Sequence, residues 1–447
     1  MDRSLLQMAH DVLSKARPGE ALEVIVERSV ETEIRAYDAA VESLTQATQA
    51  GIGIRIVSSG KVGYAYAGSL TEPDLEATLA AARENVRYSS IDPFAGLAEP
   101  DGYPFPELDL YRPATATYPL DKKIEFAIDL EREIRTLDHR IVEVPTATYG
   151  DVVSEIAIAS TTGVSIAACD TFAFAFAQAL AREGDETQSG FGYSVGRSPE
   201  EIDIVSAASD AAERSTRLLG ARKPRSQSLS VVFEPRVAAN LLAIIGSTLS
   251  ASSVQKGRSI FANRIGERIA SSSVTLVDNP GDIRFQSASA FDAEGLATRI
   301  NTPIIDGVLQ SYFYDSYTAR KDGTASTGSA QRGGGGATNP GPRALALKAG
   351  VRTSQNLLDS LDEAVVVQAI SGIHSGVNPI SGDFSVGCEG VLIQHGEVAG
   401  AVKEATISST LQRILLGITE VGNDQQFFPG IAAGSTLIID EMNLSGT

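Results

Sequence analysis

Ala221-Arg-Lys-Pro-Arg-Ser-Gln227 divides this chain. The stretch is short, basic and broken by proline, as a linker between packed units is. Immediately after it, Ser228-Leu-Ser-Val-Val-Phe233 reads as a strand, and Pro235–Ser250 reads as a strongly apolar helix. A helix this apolar is expected to be largely buried in a core. Short β-type runs separated by Gly, Asp and Asn continue from there to the C-terminus. The reading is a two-domain α+β protein. Residues 1–222 form an N-terminal helix/sheet domain. Residues 223–447 form a β-rich domain with one buried helix at 236–250.

Upstream of the linker the pattern is mixed. Leu5, Leu6, Met8, Ala9, Val12 and Leu13 have helical spacing, and Pro18-Gly19 stops that helix. Ala21–Arg28 reads as a strand. Gly51-Ile-Gly-Ile-Arg-Ile-Val57 alternates strictly and is followed, after Ser58-Ser-Gly60, by Lys61-Val-Gly-Tyr-Ala-Tyr66, so the two predict a hairpin. Thr71 is placed to cap a helix reaching about Val86. Residues 88–118 predict a long loop, and 120–137 a helix. Strand-like runs follow at 141–149, 153–160, 163–169 and 171–182, with Phe172, Phe174 and Phe176 on one face. Glu183–Gly192 reads as polar and turn-rich, and Ser198–Leu219 as a helix. Beyond the linker, further helical turns are expected at Ser360–Ala364 and Ile407–Arg413.

Composition removes several functions. Across 447 residues, 37 Lys and Arg face 56 Asp and Glu, a formal charge of −19, with 43% hydrophobic and 21% charged residues. That balance is globular, and its field repels phosphate, so nucleic-acid binding on a broadly basic surface is excluded. The two cysteines, Cys169 and Cys388, make no disulfide framework. No apolar run is long enough to span a membrane, and the amphipathic start does not resemble a signal peptide. The cytoplasm is the expected address.

Candidate chemistry is sparse. Four histidines (His10, His139, His374, His395) leave little for a multi-His metal centre, and no zinc motif is present. Gly333, Gly334, Gly335 and Gly336 could present N–H groups to a ligand, but they lack the phosphate-loop spacing and read as a ligand-facing or mobile loop. His374, with Asn378, Ser381 and Asp383 behind it, lies in a Gly-rich polar loop that could bind a ligand or fold as a capped turn. Cys388 and His395 differ by an odd number, so an uninterrupted strand puts them on opposite faces. His395-Gly396 reads as a hairpin corner. Asp282, Asp292 and Glu294 are read as solvated loop carboxylates rather than a catalytic pair.

Four stretches carry a resemblance: Gly257-Arg-Ser-Ile-Phe-Ala-Asn-Arg-Ile-Gly-Glu267; Asp306-Gly-Val-Leu-Gln310 with Tyr317-Thr-Ala-Arg-Lys321; Asn378-Pro-Ile-Ser-Gly-Asp-Phe-Ser385; and Gly417-Ile-Thr-Glu-Val-Gly-Asn-Asp424. In that order they resemble the TldD/PmbA (TldD/TldE) peptidase family, and the N-terminal element order is similar too. The resemblance implies two branches that pair, with a zinc-binding HExxxH on one. Sliding that motif onto this chain puts Leu242, Ala243 and Ser247 at its three positions. None can ligate zinc or act as the base. The chain therefore resembles the TldE/PmbA branch, which implies a metal-free, non-catalytic subunit. Its expected partner is a TldD-like chain carrying HExxxH and zinc, and the expected substrates are small or unfolded peptides. Gly333–Gly336, His374, Asn378, Ser381 and Asp383 are the expected chamber-facing residues. The alternatives are a stand-alone hydrolase with a non-metal site and a regulatory or binding homodimer; a natural-product biosynthetic pathway is one setting the resemblance leaves open.

Overall fold

Strand length governs the first half of the molecule. The computed structural model describes residues 4–333 and 336–446. Six strands form one antiparallel sheet: β1 (Ala21–Tyr37), β2 (Ala40–Ser58), β3 (Lys61–Ala67), β4 (Ile141–Ser160), β5 (Ser165–Glu183) and β6 (Glu186–Gly196), in the order β3-β2-β1-β4-β5-β6. Several run to 17–20 residues, three times the usual strand, and sheets of that length curl. The hairpin predicted at 51–66 is present, with Ser59 and Gly60 both at positive φ in its corner.

One face of this sheet is apolar at even positions of β1. Near one end, Val24 and Val26 pack with Ile52, Ile54 and Ile56 under α1 (Leu5–Leu13) and α2 (Glu72–Tyr88). Further along, Ile34 and Ala36 join a second cluster under α4 (Leu120–Leu137) and α5 (Ile204–Thr216); the short α3 (Pro113–Thr117) precedes α4. In β5, Ala173, Ala175, Ala177 and Ala179 are the buried face against these helices, while Phe172, Phe174 and Phe176 share the opposite face. Gly190 and Gly192 of β6 let α5 lie directly on the sheet: a Cβ on Gly192 would sit 1.8 Å from the Ala207 carbonyl.

Several local expectations change here. The four runs between 141 and 182 merge into the two strands β4 and β5. Glu183–Gly192 is mostly strand, not turn. The helix expected from Ser198 begins at Ile204, where Asp203 accepts the Ser206 N–H, and a separate 3-10 turn occupies 199–201.

In the second half, β7 (Gln227–Phe233) pairs in parallel with β14 (Glu363–Ser371) and antiparallel with β18 (Leu437–Ser445). β15 (Asp383–Gln394) and β16 (Glu397–Thr410) continue from β14, and β16 returns to β18, closing a five-stranded barrel; β17 (Ile418–Val421) extends it from β18. Val231, Phe233, Val365, Val367, Phe384, Val386 and Ile407 fill one face. The buried helix α6 (Pro235–Thr248) shares that core through Val237, Leu241, Leu242 and Ile245. The other barrel face carries Val232, Val366 and Ile393, packed with Leu357.

Between β7 and β14 lie α7 (Ala251–Gln255), a small sheet of β8 (Leu276–Asp278), β9 (Asn301–Ile305), β10 (Val308–Leu309) and β13 (Leu345–Leu347), the helix α8 (Ser316–Asp322), and a ribbon of β11 (Ala330–Arg332) and β12 (Thr338–Pro340). The helix expected at Ser360–Ala364 lies earlier, as α9 (Ser354–Leu358) capped by Thr353, and β14 starts at Glu363. The turn α10 spans Ile373–Gly376. The last helix, α11 (Leu411–Gly417), follows β16, which keeps 407–410 as strand. Among the described residues no helix is long and apolar enough to cross a membrane.

Candidate functional site

The odd positions of β1 place charge where the two halves meet. Glu23 is almost fully buried and accepts from two guanidinium groups, Arg55 of β2 at 2.7 Å and Arg332 of β11 at 2.7 Å. Arg332 also donates to the carbonyls of Gly336 at 2.6 Å and Ala293 at 2.9 Å. Arg55 reaches Glu294 at 3.9 Å. Glu294 in turn accepts the Ser316 N–H at the start of α8 at 2.9 Å. Asp315 caps α8 by accepting the Thr318 N–H at 2.8 Å, and its other oxygen takes the Thr338 hydroxyl at 3.0 Å.

This junction corrects the reading of Asp292 and Glu294 as solvated carboxylates: each is 1% exposed. Burial pushes the Glu294 carboxyl up against the pull of Arg55. Burial, then the Glu294 charge, pushes Asp292 up to about 7, although its oxygens accept the N–H groups of Glu294, Leu296 and Ala330.

Three cavities adjoin this junction. The first, about 680 Å³, lies between the β1/β4 face and the 286–293 segment, with Glu27, Glu31, Asp170 and Asp292 on its walls beside Arg332 and Arg343. The second, about 480 Å³, is lined by Arg55, Tyr64, Asp315, Gly336 and Thr338. The third, about 320 Å³, lies over the open face of α6 and is lined by Ala243, Ser247 and the turn after α7. On α6, Leu242 points into the core, 1% exposed, while the exposed Ser247 gives its hydroxyl back to the Ile244 carbonyl at 2.7 Å. Leucine, alanine and a hydroxyl already bonded to its own helix are no donor set for zinc. Among the described residues no group of three or more His, Cys, Asp or Glu side chains is arranged to hold a metal ion.

The other candidates are spread out. Gly336, at φ +76°, lies against the Tyr64 ring and lines the second cavity. Gly333 bonds it through its carbonyl at 3.2 Å. Gly334 and Gly335 lie outside the described residues. The His374 loop is tied to itself: Asn378 Oδ1 accepts the N–H groups of Ile380 and Ser381, and the Ser381 hydroxyl donates to Asp383 at 2.6 Å. His374, Asn378, Ser381 and Asp383 line none of the cavities above. His395 and Gly396 form the β15/β16 corner, both at positive φ. Cys388 faces the barrel core, and burial pushes its thiol up to about 12, the reverse of an activated nucleophile.

Helices on a curled sheet beside a barrel with an embedded helix fall within the three domains of a known peptidase family. Residues 22–86 match PmbA/TldA metallopeptidase domain 1, residues 114–219 the central domain and residues 226–446 the C-terminal domain. The chain belongs to the PmbA/TldD metallopeptidase family. It is 27% identical over 427 residues to "Metalloprotease PmbA" of Escherichia coli O157:H7, covering 95% of this chain and 92% of that one. To a "Metalloprotease TldD homolog" of Haemophilus influenzae it is 27% identical over 428 residues, covering 89% and 87%. A solved structure described as a modulator of DNA gyrase, from Thermotoga maritima, superposes with a TM-score of 0.90 at 26% identity over 98% of this chain and 99% of that one. TldE from Thermococcus kodakarensis has a TM-score of 0.86 at 21% identity over 99% of each chain, a likeness of fold.

Proposed function

We propose that this chain is the metal-free, TldE/PmbA-type subunit of a two-chain zinc metallopeptidase acting on small or unfolded peptides. The zinc and its HExxxH helix belong to a TldD-type partner, and this chain completes the chamber and positions extended peptide. The observation that carries the reading is α6. At the three positions matched to HExxxH by resemblance stand a core leucine, Leu242, an alanine, Ala243, and a hydroxyl bonded within its own helix, Ser247. A zinc hydrolase needs ligands and a base there. We take the division at 222/223 as the boundary between the two units, and Gly333, Gly336 and the His374–Asp383 turn as chamber-facing surface.

The test is co-expression with the chain carrying HExxxH. Stable co-purification is expected, with zinc in the partner and peptide cleavage by the pair that a chelator abolishes. Chelator-insensitive cleavage by this chain alone sinks the reading, and so does full activity of the partner without it.

A further inference from the structure

We propose that the cavity over the open face of α6 is a carboxylate-binding pocket that holds the free C-terminus of an extended peptide; that the ligand is a peptide rests on the function proposed above. The pocket is lined by Ser247, Ser250, Ser252, Ser253, Lys256 and Arg258, and no Asp or Glu lines it. In a chain with 56 carboxylate residues against 37 basic ones, a concave site with two cations and no acid is a local reversal of the field.

The backbone brings these groups together. α7 ends at Gln255 with Lys256 as its C-cap, and Gly257 at φ +65° turns the chain so that the Arg258 N–H returns to the Ser253 carbonyl at 2.8 Å. Lys256 therefore stands near Ser252, to whose hydroxyl it donates at 2.8 Å. Neither Lys256 nor Arg258 is in an ion pair among the described residues.

The neighbouring cavity differs, and the contrast fixes where an anion is held. The adjoining 480 Å³ cavity shares Ser252, Lys256, Asn339 and Pro340 with this pocket, but Asp92 and Asp315 line it too and its Arg55 is paired with Glu23. The acid-free pocket at Lys256 and Arg258 is thus the part of this groove whose cations are unanswered among the described residues. Ammonium, guanidinium and hydroxyl donors around one concavity make charge-assisted bonds to a planar carboxylate, and an amide in its place loses them.

The experiment is calorimetric titration of the full chain with two neutral peptides, N-acetylated hepta-alanine with a free C-terminal acid and the same peptide amidated, at low salt. Inorganic phosphate is titrated in a third arm. The acid is expected to bind at least about tenfold more tightly than the amide, and raised salt should narrow the gap because both cations are exposed. In the double variant Lys256→Gln/Arg258→Gln the preference should fall to within about twofold while the melting temperature is retained. Equal affinity for acid and amide overturns the proposal, as does no binding of either or a preference that survives the double variant. Phosphate binding that depends on Lys256 and Arg258 without any acid preference makes this a free-oxyanion site, which also overturns it. Co-purification with the HExxxH chain is read separately, so either idea can fail while the other stands.

Discussion

Replacing Glu23 by Gln should cost about 3 kcal/mol of folding stability. The Glu23 side chain is 3% exposed and answers both Arg55 and Arg332, each at 2.7 Å. Breaking a buried ion pair by removing one partner costs about 3–5 kcal/mol, because the surviving charge stays buried. The lower end applies here: Arg55 keeps Glu294 at 3.9 Å, and Arg332 keeps the Ala293 and Gly336 carbonyls. Glutamine keeps one acceptor but turns an NH₂ toward the other guanidinium, so a donor faces a donor. The loss is a sizeable fraction of a typical stability of about 5–15 kcal/mol. Urea unfolding followed by circular dichroism gives the difference, and because the pair is buried the deficit should be nearly the same at low and high salt. Glu23 lies on β1 and Arg332 on β11, so proteolysis between the halves should also quicken. A deficit below about 1 kcal/mol, or one that salt erases, would refute the reasoning and place the junction among surface ion pairs.

Gly192→Val should destabilise by about 2 kcal/mol or more in the same urea assay, because the added Cβ falls 1.8 Å from the Ala207 carbonyl and α5 must lift from the sheet; a neutral result would mean that α5 is not seated there. The Asp138 side chain should titrate by carboxyl ¹³C NMR with a midpoint of about 2, held down by hydrogen bonds from the Arg140 side chain and backbone. Because this folded pKa lies below the unfolded value, the stability it adds is present above about pH 4 and is lost as pH falls toward 2; a midpoint near 4 contradicts the contact. Cys169 should react with a thiol reagent in the native protein, whereas Cys388, buried in the barrel core, should react only on unfolding. Fast native labelling of Cys388 would reopen a nucleophilic role for it.

The hairpin at 51–66 and the helix at 120–137 are legible because their periodicity is undisturbed. The fold departs from the sequence reading where a breaker residue has a tertiary use. Pro145 interrupts the run at 141–149, yet β4 absorbs it where the register with β5 shifts between Glu143 and Thr146. Gly150 looks like a strand end, but a Cβ there would meet the Phe174 ring at 2.3 Å; its bare backbone is the surface on which a cross-strand aromatic rests. In β6, Gly190 and Gly192 mimic a turn, and their purpose is the close approach of α5. The helix misplaced at Ser360–Ala364 illustrates capping: Thr353 accepts the Asn356 N–H and starts the helix several residues earlier.

The site is less legible than the fold because its groups are brought together only by tertiary contact. Glu23 and Arg332 are 309 residues apart and Arg55 and Asp315 belong to different halves, so no spacing rule links them. Asp292 and Glu294 read as solvated because loop carboxylates normally are, and nothing in their neighbours announces the β1 face that buries them. The sum of −19 hides the same arrangement. It averages an acidic wall at Glu27, Glu31 and Asp170 with an acid-free pocket at Lys256 and Arg258. A net charge describes what a chain repels at a distance beyond the Debye length of about 8 Å; what it accepts is decided inside that distance. An extended peptide laid along these cavities would meet carboxylates beside β1 and cations beside α7. The peptide proposed above should therefore prefer basic side chains near Glu27, Glu31 and Asp170 and an acid end at Lys256 and Arg258, a pattern that no single composition number can express.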